Sequence, residues 1–333
     1  MNKFVRYKSI VCCDSEYSLL LYFLLTDYKI EESLFFFSQR LNIVYRKKLN
    51  RNGIFLKTYR GNSRFIAIIV NVCYYFLVTF ILCIKRSINL PTYGFDFLQF
   101  SKPIIKSSSF FCLIEDGLSN YERPNLVLKS LENSKIKQIL FKIGLYQPPY
   151  GISDAVKKIY MTSLQPIPIA IKDKVECINI SEIWNSLSNS RREEIISFFL
   201  DKISIPQSDS QCLIITQCWS EYNIMTESQK IDIYQKIVEK VKRSNRYDNI
   251  VLKTHPAETT DYSLYFTNVI IIKDPIPIQI LELLGYKFNT MVTVNSTAIY
   301  SSECKDKILL LDGNVDDSEL YKHLLERLKE EIL

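Results

Sequence analysis

The chain has 333 residues and a formal net charge of +6, with 47% hydrophobic and 23% charged residues and few Gly or Pro, which excludes the disordered and fibrous classes and leaves room for two ordinary globular domains. The charge is spread along the sequence and no dense Lys/Arg tract alternates with aromatics, so nucleic-acid binding has no support, whereas anionic lipids and anionic substrates both suit it. Nine cysteines, mostly inside apolar runs and without a CxxC pair, read as small buried hydrophobes of a reducing compartment, and two histidines cannot complete a usual zinc site.

Residues 1–8 are basic, but the apolar run after them is broken by Asp14 and Glu16, so no secretory signal is expected. Residues 9–13 predict a buried strand and Glu16–Leu25 a helix, so the chain opens as βα. Strands are expected at 34–37 and 54–59. Residues 65–84 carry no charge and lie between Arg64 and Lys85-Arg86, which by length alone suits a transmembrane helix. Asn71, Tyr74, Tyr75 and Thr79 dilute the run, and crossing here would split one α/β domain across the bilayer. The expectation is therefore a buried or membrane-surface helix that makes the protein peripheral to the inner face of the membrane.

Further along, the apolar run 110–114 ends on Glu115-Asp116-Gly117; a helix is expected over 125–144, a strand over 157–161 and a helix over 181–200. Residues 204–211, polar and proline-bearing, mark a boundary between domains 1–203 and 204–333. The alternation then restarts, with strands at 212–216, 249–254, 269–273, 291–294 and 307–311, and helices at 226–243, 277–284 and 316–333. Two βα series joined by one linker predict an α/β protein of two doubly wound domains facing a central cleft.

Three strand-end motifs carry the candidate chemistry. His255-Pro256 stops an apolar strand, and proline holds the residue before it extended, so the imidazole is presented in a set direction. His323 lies in a charged helical pattern and reads as solvated surface, which leaves His255 as the imidazole acid or base. Glu115-Asp116-Gly117 places two mutually repelling carboxylates at a strand end, where one can be raised in pKa and act as a base; a plain structural turn reads the same way. Asn295-Ser296-Thr297 precedes a helical turn and suits either an N-cap or a phosphate site. No GxGxxG, P-loop, GxSxG, HExxH or metal-nucleotide DxD is present, and a metal-free reaction on a phosphate-bearing donor remains.

The ordered trio, together with Gln217 in Leu213-Ile214-Ile215-Thr216-Gln217, resembles bacterial sialyltransferases and polysialyltransferases of capsule and lipooligosaccharide synthesis, glycosyltransferase family 52 above all. The resemblance implies a GT-B fold of two Rossmann-like domains, the first on the acceptor side and the second binding the nucleotide sugar. It implies an inverting, metal-independent transfer of sialic acid from CMP-sialic acid to a glycan acceptor, with galactose the expected terminal sugar, and no cofactor. By motif, Asp116 would be the general base with Glu115 beside it, and Gly117, Gln217 and Pro256 would contribute to binding the nucleotide donor. His255, as an imidazolium or a hydrogen-bond donor next to Pro256, would stabilise the leaving CMP phosphate, and Asn295, Ser296 and Thr297 would hold it. The family's Pro-x-Glu ribose contact is here Pro277-Ile278-Gln279, so Gln279 or Glu282 would take that place. Glu221, after the first strand of the second domain, is the alternative base. Loops near 93–100 and 146–150 would read the acceptor. Another nucleotide sugar as donor, or a non-catalytic polysaccharide-assembly role, are the competing readings. A cytoplasmic, membrane-peripheral protein is expected, and the oligomeric state is open, a homodimer included.

Overall fold

The computed structural model describes residues 7–59, 61, 63–143, 146–200, 205–206, 208, 210–311 and 316–330. The chain forms two compact units, Met1–Ile195 and Ile196–Leu333. The division falls inside the helix Asn189–Phe199, a little before the linker read from composition, part of which lies outside the described residues.

Among the described residues the first unit has strands β1 (Ser9–Cys12), β2 (Ser33–Phe37), β3 (Gly53–Phe55), β4 (Pro91–Gly94), β5 (Phe110–Ile114), β6 (Val156–Met161) and β7 (Val175–Cys177), in the order β3-β2-β1-β4-β5-β6-β7. All neighbours are parallel. The second unit has β8 (Gln211–Ile215), β9 (Asn249–Lys253), β10 (Ile270–Ile272), β11 (Thr290–Thr293) and β12 (Asp306–Leu309), in the order β10-β9-β8-β11-β12, also parallel. Parallel strands are covered on both faces, so they read as unbroken apolar runs. β1, β2 and β8 are buried at every position. In each sheet the winding reverses beside its first strand, between β1 and β4 and between β8 and β11. Open α/β sheets bind ligands outside the carboxyl ends of the strands at such reversals.

The elements are set by local chemistry that the sequence displays unevenly. In the second unit the helix Glu227–Arg243 starts on a capping box: Thr226 Oγ1 accepts from Gln229 N–H (3.2 Å) and Gln229 Oε1 accepts from Thr226 N–H (2.9 Å). Its apolar stripe, Ile233, Tyr234, Ile237, Val238 and Val241, fills the core under β8 and β9.

Several expected elements differ. β4 and β7 were not anticipated; β4 is Pro-Thr-Tyr-Gly, too short and too rich in turn residues to show a strand pattern. The helix expected over 125–144 is two helices, Ser119–Glu132 and Lys135–Lys142. The first runs through Pro124, and the second is restarted by Ser134, whose Oγ accepts from Lys137 N–H at 3.3 Å. The helix expected over 181–200 is likewise two, Ile180–Ser186 and Asn189–Phe199, separated at Leu187-Ser188. The closing helix is confined to Leu320–Arg327.

Residues Arg64–Ile84 form one helix, capped by Ser63. Val78 and Leu82 are fully buried against Ile10, Leu34, Phe36 and Phe100, and the helix packs alongside Ser101–Ser107. Among the described residues no helix is long and apolar enough to cross a membrane.

Candidate active site

In the first unit the acidic pair stands at the carboxyl end of β5, and the two carboxylates have unlike surroundings. Glu115 is fully buried; its carboxylate accepts from Tyr121 OH (3.1 Å), from Thr162 N–H (2.5 Å) and from Thr162 Oγ1 (3.0 and 3.1 Å). Burial pushes its pKa up to about 7 despite those donors. Asp116 is only partly buried. Its backbone N–H is held by Asn120 Oδ1 (2.8 Å), and its carboxylate accepts from Ser15 Oγ (2.9 Å). Burial raises it to about 6; the Ser15 bond and the Arg40 charge oppose the shift, and Asp14 adds to it. Gly117 follows at φ +115°, a backbone angle that favours glycine.

Ser15 caps the helix Glu16–Leu25 just past β1, so Asp116 reaches back to the point where the sheet reverses. β4 ends there on Gly94, at φ +124°; a Cβ on it would lie 1.9 Å from the Cys12 carbonyl oxygen. Asp96 lies two residues on. It is buried, and its carboxylate accepts from the N–H groups of Tyr150 (2.9 Å) and Gly151 (2.8 Å). This buried anion, which sequence reasoning missed, ties together the two loops expected to read the acceptor. Phe97 stacks on Phe95 and on Tyr150, each at 4.9 Å.

In the second unit the motifs stand at the carboxyl ends of the adjacent strands β9, β8 and β11: His255-Pro256 after β9, Thr216-Gln217 after β8, and Asn295-Ser296-Thr297 after β11. His255 donates its backbone N–H to Glu258 Oε2 (2.9 Å) and Thr216 Oγ1 (3.2 Å). Its ring Nδ1 accepts from Ala257 N–H at 3.1 Å. The neutral ring therefore carries its proton on Nε2. Burial, followed by the nearby Lys253 ammonium, lowers its pKa to about 4, so at neutral pH the imidazole is uncharged, which favours the hydrogen-bond donor over the imidazolium of the two forms expected for it.

Glu221 is tied down. It accepts from the fully buried Lys230 (3.0 and 3.1 Å) and from Thr259 N–H (2.8 Å). Burial works against ionisation, but the Thr259 N–H and Lys230 outweigh it and hold the carboxylate down at about 2. So low a pKa makes a weak base. Glu221 and Glu258, joined through Lys230, instead brace the loop that follows His255.

Gln279 is buried and donates Nε2–H to Ser301 Oγ at 2.6 Å; Glu282 accepts from Ser302 OH and from Glu303 N–H (3.1 Å). Both expected ribose contacts are thus engaged with the segment just after β11 and its helical turn. Asn295 and Thr297 are exposed and Ser296 is half-buried, its Oγ accepting from Ala298 N–H at 3.3 Å in a local turn; Thr297 is the N-cap of the helical turn Ala298–Ser301 and makes no side-chain cap bond. Among the described residues no three His, Cys, Asp or Glu side chains come together as a metal-binding group.

Two doubly wound α/β units, each presenting polar and titratable side chains at the carboxyl ends of its strands, define the GT-B class of glycosyltransferase. Within that class, the chain belongs to glycosyltransferase family 52, whose model matches residues 97–310. It is 35% identical over 249 residues to an uncharacterised protein of Haemophilus influenzae, covering 70% of this chain and 76% of that one. In fold it is similar to the GT-B domain of a sialyltransferase from Photobacterium damselae, with a TM-score of 0.56, 14% identity and 95% and 96% of the two chains covered. A similar likeness holds to a Photobacterium 2,6-sialyltransferase solved with CMP and lactose: TM-score 0.55, 12% identity, 96% of this chain and 76% of that one.

Proposed function

We propose that this glycosyltransferase is an inverting, metal-independent sialyltransferase. It would move sialic acid from CMP-sialic acid to a terminal galactose hydroxyl of a capsular polysaccharide or lipooligosaccharide, at the inner face of the membrane. The observation that carries the reading is the contrast within the acidic pair: Glu115 is sealed by Thr162 and Tyr121, while Asp116 stays partly exposed with its pKa raised to about 6. A carboxylate tuned in this way suits a general base for a hydroxyl. Asp116 takes the acceptor hydroxyl proton as that oxygen attacks the anomeric carbon, the bond to the CMP phosphate breaks, and the negative charge developing on the phosphate oxygen is met by His255 Nε2–H. Ser296, Thr297 and Asn295 supply further donors to the phosphate, with Gln217 beside them. Direct displacement inverts the anomeric centre.

Nucleotide release tests the donor. The protein in EDTA is incubated with CMP-sialic acid and, separately, with UDP- and GDP-sugars, in the presence of galactose-terminated acceptors. Release of CMP alone is the expected result. Release of a nucleoside diphosphate instead, or activity appearing only when a divalent metal is added, would overturn the reading.

A further inference from the structure

The helix Arg64–Ile84 buries one stripe and leaves another apolar stripe outside: Phe76 is 69% exposed, Phe80 62% and Ile84 61%. The helix Lys135–Lys142 has no buried residue, and its two isoleucines face outward, Ile136 at 71% and Ile139 at 58%, with Ile143 following it at 61%. Monomeric soluble proteins rarely display contiguous apolar surface of this kind without a use for it.

The two helices are linked through a third. Lys106, on Ser101–Ser107, lies with its Nζ 5.5 Å from the centre of the Tyr75 ring on the first helix. Lys102, one turn earlier, lies 6.0 Å from the ring of Tyr146, whose N–H donates to the Leu140 carbonyl of the second helix at 2.9 Å. Cations flank these segments along the chain: Lys85 and Arg86 follow one helix, Lys102 and Lys106 lie on the helix between, and Lys135 and Lys142 begin and end the other.

We infer that this face of the first unit docks in plane on an anionic phospholipid surface, Phe76, Phe80 and the four isoleucines entering the acyl boundary and the flanking Lys and Arg side chains engaging lipid phosphates. A bilayer surface supplies both complements at once, apolar chains below and negative charge above. A second copy of the chain is the poorer occupant, because pairing like face with like face would bring the flanking cations together. The inference rests on the peripheral placement proposed above and not on the chemistry of transfer.

Sedimentation of the purified full chain with vesicles of phosphatidylcholine, with and without phosphatidylglycerol, tests it. Light scattering on the free protein gives its oligomeric state, and circular dichroism checks that variants fold. Expected is binding to the anionic vesicles, weakened by salt, and weakened at least about tenfold in Phe76→Ser/Phe80→Ser and several-fold in Lys135→Gln/Lys142→Gln. Wild-type binding that both folded variants retain would overturn this face while leaving the peripheral placement standing; no wild-type binding would overturn both. A dimer that Phe76→Ser/Phe80→Ser dissociates would assign the face to a second copy and also overturn the inference. CMP release, measured alongside without vesicles, reports separately on the transfer reading.

Discussion

Asp116 and Glu115 are neighbours in unlike surroundings, and their protonation gives the sharpest expectations for the proposed base. A base must be ionised, so log kcat/KM should rise with pH up to about 6, the value to which burial raises Asp116, and then level off. Asp116→Asn should lower transfer by about 10² to 10⁴ and remove that rising limb, with CMP affinity retained. Folding runs the other way. Both carboxyls have raised values in the folded chain, so folding binds protons, and their contribution to stability is present below the ordinary carboxylate range and lost as pH climbs through about 6 for Asp116 and about 7 for Glu115. Glu115→Gln, which spoils the bonds to Thr162 and Tyr121, should show mainly as a lower unfolding midpoint with little change in pH profile. A second separation concerns His255. If it serves as a neutral Nε2–H donor, His255→Gln, which keeps an N–H on a side chain of similar reach, should retain more activity than His255→Ala, the latter losing about 10² to 10³ in kcat. Equal loss in both variants would show that a proton is transferred from the ring.

The strand-end positions of all three motifs were legible in the sequence, because parallel strands buried on both faces leave apolar runs that stop where the carboxyl-end loops begin. Which member of each motif is available was not legible. Glu115 is sealed by Thr162, from the end of β6, and Glu221 by Lys230 and Thr259, partners that only the folded sheet brings together. Asp96 was missed for a related reason: β4 did not register as a strand, so the residue two past Gly94 was not placed at the carboxyl edge of a sheet. The expectation for Gly94→Ala follows from the same element. A Cβ directed at the Cys12 carbonyl, at a φ that side chains avoid, should cost about 1–3 kcal/mol or more, read as a shift in urea midpoint, and should disturb Asp96 with it. Full stability in that variant would mean that the β1–β4 junction is looser than its geometry.

Two Rossmann-like units of the GT-B class follow from two consecutive βα series, and membership of family 52 agrees with the motif order that the sequence displayed. The 65–84 run was the ambiguous feature, since length and hydropathy do not tell a spanning helix from one that buries a single stripe; Val78 and Leu82 packed into the first unit's core supply that distinction. The central claim is direct, base-assisted displacement of CMP by a sugar hydroxyl, and time-resolved proton NMR of CMP-sialic acid with a galactose-terminated acceptor tests it most directly. In EDTA, wild-type protein should give an α-linked sialoside from the β-linked donor as first product, together with CMP, and Asp116→Asn should form it about 10² to 10⁴ times more slowly. A first product that keeps the donor's anomeric configuration, or undiminished transfer by Asp116→Asn, would contradict the account.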